Sequence, residues 1–283
     1  PWTREGRRMA GKRTGRSLHI GLNRVDPTKY IDRTGQGWDG RLDWCEKDAQ
    51  DMAELARAQG FEISVLLTAD ATADNIAQAI RTAAATLGDG DIFWITYSGH
   101  GGYLPDTGGD EPDKRDETWV VYDRQMLDDE LYREYGAFAP GMRVVVVSDS
   151  CFSGGIHGGF PRMGYATKAM PDDVARVDQD RRGDVYRSLK AAGPPDETVR
   201  ENLAARMVFL TACDEDEEAM VGAKNSVFTD VLRRVWNRGR FEGDYRALYQ
   251  ALTDKSPSFQ TPQQRVQGPG EPDLLSERPF TIG

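Results

Sequence analysis

Four consecutive valines, Val144–Val147, stand between Arg143 and Ser148. A strand this apolar has no polar face to offer water, so it must be covered on both sides. Leu18–Asn23, Phe61–Leu67, Asp91–Tyr97 and Met207–Cys213 are further short apolar runs of strand length. Amphipathic segments separate them. Residues 41–59 bring Leu42, Cys45, Ala49, Met52, Leu55 and Ala56 near helical spacing, and Gly60 ends that helix. From Thr72 to Gly88, a second helix carries Ile76, Ala79, Ile80 and Ala83 on one face. Trp119–Tyr122 reads as a short strand, Leu127–Tyr135 as a short helix, and Ser226–Trp236 and Tyr245–Leu252 as closing helices. This alternation predicts an α/β fold with a mostly parallel central sheet of about six strands flanked by helices. Residues 157–205 interrupt the pattern without sustained periodicity and read as a long connecting loop, a length that in a compact domain marks either function or disorder. Residues 1–16 read as a basic tail, and the chain from Ser256 as extended.

Composition removes several function classes. Thirty-six Lys and Arg against 46 Asp and Glu give a formal charge of −10, which disfavours nucleic acid as the main partner. Three cysteines are too few for a disulfide framework. The apolar runs are far shorter than the roughly 20 residues of a membrane span. No apolar stretch follows the N-terminal basic residues, so a cytoplasmic protein without a leader is expected.

Ligands of open α/β sheets bind beyond the carboxyl ends of the strands. Two strands end in reactive residues set among small ones: Tyr97-Ser98-Gly99-His100-Gly101-Gly102, and Ser148-Asp149-Ser150-Cys151-Phe152-Ser153-Gly154-Gly155. A Cys and a His on neighbouring strand ends suit a thiolate–imidazolium pair, with backbone N–H groups of the glycine turn facing a developing oxyanion. Taken singly, Cys151 also fits a buried hydrophobe and His100 a hydrogen-bonded strand-end residue. Asp149, two residues before Cys151, shares its side of an extended strand. With three His and three Cys there is no close pair for a transition-metal site.

These motifs, together with Trp44-Cys45-Glu46-Lys47-Asp48-Ala49, Val208–Cys213 and Val227–Leu232, resemble the caspase-like cysteine peptidases of the metacaspase branch, in particular bacterial orthocaspases. The resemblance covers roughly residues 17–155 and 206–236. It implies a caspase-like fold with a large section over 17–156, a connecting loop over 157–205 and a small section over 206–283. It also implies a cysteine endopeptidase with His100 as base, Cys151 as nucleophile, and the N–H groups of Gly101 and Cys151 as oxyanion hole. Asp48, Asp149 and Ser98 match the pocket that takes Arg, or Lys second, at the cleavage position, and two acids there suit a bidentate guanidinium. Protein or peptide substrates and a monomer are implied, with no organic cofactor. Calcium enters as a candidate cofactor through Asp116, Asp128 and Asp129, although a further family acid falls near Gly158, which has no carboxylate. Arg176, Arg181, Arg182 and Arg187 in the connecting loop are candidate processing positions, for the chain itself or for an upstream protease. The alternatives are a catalytically silent scaffold of the same fold and a zymogen awaiting another enzyme. Phe152 departs from the His frequent at that position in metacaspases.

Overall fold

The computed structural model describes residues 13–105, 115–151, 166–194, 196–214, 217 and 219–283. In chain order these form β1 (Gly15–Gly21), α1 (Cys45–Ala58), β2 (Glu62–Leu67), α2 (Ala73–Thr86), β3 (Ile92–Ser98), β4 (Gly101–Pro105), β5 (Arg115–Val120), β6 (Gln125–Leu127), α3 (Asp128–Tyr135) and β7 (Arg143–Asp149). After them come α4 (Asp172–Ala191), α5 (Asp196–Glu201), β8 (Arg206–Thr211), α6 (Val227–Trp236), α7 (Tyr245–Lys255), β9 (Gln263–Gln267) and α8 (Glu271–Leu274).

Six strands make the central sheet in the order β2-β1-β3-β7-β8-β9. All neighbours are parallel except β8 and β9. The expected mostly parallel α/β sheet is therefore present. Every residue of β3 and β7 is buried, as their apolar sequences require. Alternation along these strands feeds two cores. Phe93, Ile95, Val144 and Val146 pack with Ile76 and Ile80 of α2 and Leu131 of α3. Trp94, Val145 and Val147 pack on the other face with Met52 of α1, Phe228 and Leu232 of α6, and Leu248 of α7. The chain leaves β1 for β2 on one side and returns to β3 on the other, so β1 and β3 flank the topological switch point. A small antiparallel sheet, β4-β5-β6, grows out of the turn after β3.

Three boundaries differ from expectation. The basic tail was expected to reach residue 16, but β1 begins at Gly15, and Arg16 is buried beside Glu62 at 2.9 Å. The chain after Ser256 is more than extended coil, since β9 adds an antiparallel edge strand of polar residues. The segment expected as a loop contains the 20-residue helix α4. Its inward stripe is Val174, Ala175, Asp178, Gly183 and Tyr186, too polar to show a hydrophobic period. Polar contacts hold it instead. Asp178 accepts hydrogen bonds from Gln125 Nε2 at 2.8 Å and the Tyr186 hydroxyl at 2.6 Å, and pairs with Arg182 at 3.0 Å.

His19 of β1 is fully buried, hydrogen-bonded to Thr96 Oγ1 and Ser17 Oγ, each at 2.9 Å. Burial, with a smaller contribution from the Arg57 charge, pulls its pKa down to about 3. The unfolded chain takes up this proton near pH 6.5, so stability falls as the pH drops below that value. One such proton is worth about 2 kcal/mol between pH 6.5 and 5. Urea unfolding of His19→Gln and the parent at pH 7 and pH 5 should show the pH-dependent loss shrinking by about that much in the variant. An unchanged pH dependence would contradict a neutral buried imidazole.

Candidate active site

The strand register assembles the site. Ser98, the last residue of β3, lies directly opposite Asp149, the last residue of β7. Gly21 at the end of β1 lies opposite Ser98 on its other side, and α1 then brings in Asp48. Asp48 and Asp149 are each 1% exposed. The Ser98 hydroxyl donates to Asp48 Oδ2 at 2.7 Å. Both carboxylates are capped by the start of α6. Asp48 accepts from the Ser226 N–H at 3.1 Å, from the Ser226 hydroxyl, and from Asn225 Nδ2 at 2.9 Å. Asp149 Oδ2 accepts from the Thr229 N–H at 3.0 Å and its hydroxyl at 2.7 Å. A helix N-terminus directed at two acids offsets part of the cost of burying them. Burial still pushes the Asp48 pKa up, against the opposing pull of Lys168 and the donors from Ser226 and Asn225.

Lys168 fills the space between the two acids. Its side chain is fully buried, and Nζ donates to Asp149 Oδ1 at 2.9 Å, Ser98 Oγ at 2.9 Å and the Asp149 carbonyl at 2.8 Å. Asp48 lies 3.9 Å away. Burial pulls the ammonium toward neutrality, but the Asp149 charge and its neighbours outweigh it and raise the pKa above the usual lysine value. The backbone around Lys168 runs extended between the two halves of the site. The Lys168 N–H donates to the Ala219 carbonyl at 3.0 Å, and the Val221 N–H donates to the Ala166 carbonyl at 2.9 Å. On the other side, the Gly101 N–H donates to the Lys168 carbonyl at 2.8 Å, and the Met170 N–H donates to the Gly101 carbonyl at 2.8 Å.

His100 follows β3 and is 6% exposed. Its Nε2 lies 2.9 Å from the Gly40 carbonyl, which fixes the proton there and leaves Nδ1 with its lone pair. Nδ1 makes no hydrogen bond of good geometry among the described residues. Burial lowers the His100 pKa to about 4, while the carbonyls of Gly40, Ala169 and Lys168 are near enough to pull it upward. Trp38 packs against the ring, with centroids 5.0 Å apart. Cys151 lies just beyond β7. A Cβ on Gly101 would fall 1.7 Å from the Cys151 carbonyl oxygen, so only glycine fits where the two strand ends meet. Cys151 Sγ accepts the Ala219 N–H at 2.6 Å, on the same residue whose carbonyl holds Lys168, and lies 4.0 Å from Thr167 Oγ1. Cys213, at the end of the adjacent strand, has its thiol pushed well up by a hydrogen bond with Cys151 and by burial.

The structure thus gathers His100, Gly101, Cys151, Asp48, Asp149 and Ser98 in one place. Asn225, Ser226, Thr229 and the Gly40 and Ala219 backbone join them without having been singled out from the sequence, as does Lys168, which the sequence offers only as one of many basic residues of the 157–205 segment. Motifs for Lys168 and Gly40 are absent, because one contributes through a long-range insertion and the other through a carbonyl that any residue carries. Ser226 and Thr229 sit at the start of a predicted helix, where an N-terminal anion site was a readable signal. Phe152 and the glycines following Cys151 lie outside the described residues.

The three acids considered for calcium lie apart from this centre, at the start of α3 and on β5. Each is matched by a basic side chain. Lys190 pairs with Asp116 and lies 3.9 Å from Asp129, Arg133 lies 4.0 Å from Asp129, and Arg200 is 2.9 Å from Asp128. Among the described residues, no group of three or more acids, His or Cys is arranged to hold a metal. Calcium needs about six to eight oxygen ligands, several of them charged, and an ammonium in their midst does not fit it. Calcium or a chelator should leave the melting temperature of the Cys151→Ala chain unchanged within about 1 °C. A clear rise with calcium would contradict this arrangement.

Comparison with known proteins agrees with this geometry. The caspase domain model of the peptidase families matches residues 28–270. Metacaspase-4 of Arabidopsis thaliana is 33% identical over 149 residues, covering 48% of this chain and 36% of that protein. Metacaspase-1A of Aspergillus clavatus is 35% identical over 162 residues, covering 52% of this chain and 35% of the other. The matched stretches thus span little more than a third of these relatives' own length. A solved protein from Geobacter sulfurreducens is 39% identical with a TM-score of 0.84, covering 95% of this chain and 99% of that one. Caspase-1 from Spodoptera frugiperda shares the fold at a TM-score of 0.53 and 15% identity, over 90% of this chain and 88% of the other. The chain belongs to the caspase-domain family, and the curated relatives it resembles are metacaspases.

Proposed function

We propose that this chain is a cysteine endopeptidase that cleaves after Arg, and after Lys second, and that it holds itself in check until the segment around Lys168 is cut. The observation that carries this is Lys168 itself. A basic side chain lies between Asp48 and Asp149 while its carbonyl accepts the Gly101 N–H and its own N–H is held by Ala219. That is how a substrate's basic residue and the bond that follows it would be presented. Arginine suits the pocket better than lysine, because a planar guanidinium reaches both carboxylates at once.

In this mechanism Cys151 passes its thiol proton to His100 Nδ1, and the thiolate attacks the carbonyl carbon of the basic residue. The Gly101 N–H and the N–H of Cys151 face the oxyanion. His100 then donates the proton to the leaving amine, a thioester forms, and water activated by His100 hydrolyses it. The Gly40 carbonyl keeps the imidazole in the tautomer that leaves Nδ1 open. Trp38 holds the ring in place.

Regulation by cleavage follows from the same contacts. Arg176, Arg181, Arg182 and Arg187 all lie on α4. A protease reading an extended backbone would have to unwind that helix first. The Lys168–Ala169 bond is already extended across the site, so it becomes the processing position favoured here, ahead of the four arginines. An uncut chain is then a zymogen. Whether its first cut comes from this enzyme or an upstream one is read from the Cys151→Ala chain. The polar edge strand β9, Gln263–Gln267, gives little incentive to pair with a second copy and supports a monomer. No helix among the described residues is long and apolar enough to cross a membrane. The acidic chain fits a cytoplasmic enzyme acting on basic sites in proteins.

Fluorogenic peptides ending in Arg, Lys or Asp test the reading. Cys151→Ala should lower turnover of the Arg peptide by about four orders of magnitude. Asp149→Asn, which keeps the shape but loses the charge, should lower kcat/KM for Arg by about 100-fold. Turnover of the Asp peptide, or an Arg rate indifferent to Asp149→Asn, would refute the pocket assignment.

A further inference from the structure

Met170, two residues beyond the Lys168 carbonyl, is 1% exposed. Its side chain belongs to an apolar cluster with Val25, Tyr30 and Val120, bordered by the half-buried Trp38. None of these four residues lies in the connecting segment. Val25, Tyr30 and Trp38 come from the chain between β1 and α1, and Val120 ends β5. The wall is fixed independently of its occupant. The Tyr30 hydroxyl donates to the Val121 carbonyl at 2.8 Å, the Trp38 N–H donates to the Tyr30 carbonyl at 2.9 Å, and the Trp38 ring packs edge-on against Tyr30 at 6.0 Å. The same Trp38 ring touches His100. An apolar wall therefore runs from the histidine away from the acid pocket, on the side where the leaving part of a substrate lies. The backbone there has a defined path. Gly101 bridges Ala169 in parallel register, and its carbonyl accepts the Met170 N–H at 2.8 Å.

Building on the peptidase reading above, we propose that the Val25, Tyr30, Trp38 and Val120 wall is a specificity subsite selecting an aliphatic side chain, Met or Leu, at the second residue after the cut. Two features set the class of side chain. The wall side chains are apolar, and the charge against them, Arg182 over the Tyr30 ring at 5.3 Å, is already paired with Asp178, so an acid or base would lose its water there without a free partner. Ala169 between the cut and Met170 is 9% exposed and small, which leaves the chain extended and delivers the next side chain to the wall. Val174 and Ala175 of α4 pack over Met170 in the intact chain. Once the Lys168–Ala169 bond is cut, the new chain end at Ala169 is free to withdraw Met170 while α4 stays anchored through Asp178 to Gln125, so the wall remains on the enzyme and opens to incoming substrate. The enzyme would then read two side chains at fixed spacing: a cation before the scissile bond and an aliphatic group two residues after it.

The test uses the full wild-type chain and internally quenched peptides sharing one non-prime sequence ending in Arg, with Ala next and Met, Leu, Gly or Asp in the second position after the cut. An Arg-coumarin amide, which has no residue there, reports activity apart from this subsite. The Met and Leu peptides should exceed the Asp peptide in kcat/KM by about ten-fold or more, with Gly between, as expected for an apolar pocket. Val25→Thr, nearly isosteric but polar, should narrow the Met-to-Asp ratio while leaving the coumarin amide rate unchanged. Equal rates for all four peptides, with the amide still cleaved, would overturn the subsite and leave the peptidase reading standing. Failure to cleave the amide and every peptide would overturn both.

Discussion

Everything at the functional end of this fold depends on how two buried carboxylates are tolerated. Asp48 and Asp149 sit at the ends of different elements, each 1% exposed, and like charges in such a place repel each other while losing their water. The structure matches them from two directions. The start of α6 supplies the Ser226 and Thr229 N–H groups and hydroxyls, with Asn225 beside them. Lys168 supplies a full positive charge, with Ser98 bridging ammonium and carboxylate. Removing one partner of such a group costs more than the pair contributes, because the remaining charge stays buried. A pocket built this way has a strong demand for a cation, and that demand is the basis of the specificity argued here.

The sheet makes this possible. Parallel pairing of β3 with β7 sets Ser98 against Asp149 and brings His100 and Cys151 out of the sheet at the same end, with Gly101 packed on the Cys151 backbone. The adjoining strand β8 leads to Cys213 and on to Ala219, whose N–H and carbonyl meet the thiol and Lys168. Three neighbouring strands thus deliver Cys151, His100 with Ser98, and the backbone that holds the Lys168 segment. The helices on the two faces bury the strands and keep that register fixed. Strength in the core and accuracy at the site have one cause.

Much of this was legible in the residues. The valine run and DIFWITY force two-sided burial, and two-sided burial with intervening helices leaves few alternatives to a parallel sheet. His100, Cys151, Asp149 and Ser98 could be placed because they end or immediately follow strands, where a sequence neighbour is also a spatial neighbour. Asp48 was harder, since a helix acid gives no local sign of being buried, and only its motif pointed to it. Lys168 is legible only as one of many basic residues in the 157–205 segment, not as the occupant of the pocket. Its role comes from an insertion across 19 residues to Asp149 and 120 or so from Asp48, and nothing in its immediate sequence marks it out. α4 was missed because Asp178 and Gly183 occupy its inward stripe, so polar bonds replace the hydrophobic period that a helix normally displays. The sequence offers Asp116, Asp128 and Asp129 as calcium ligands, whereas the structure pairs Asp116 with Lys190 and Asp128 with Arg200, each more than 70 residues on and beyond the reach of a local reading.

In the proposed zymogen the chain presents its own Lys168–Ala169 bond to its own active centre. N-terminal sequencing of the fragments formed when wild type is incubated alone, beside Cys151→Ala, tests it most directly. Self-cleavage at this bond gives a new N-terminus at Ala169 in the wild type and leaves the Cys151→Ala chain intact. A first cut elsewhere, such as after an arginine of α4, or the same fragments from Cys151→Ala, would contradict it.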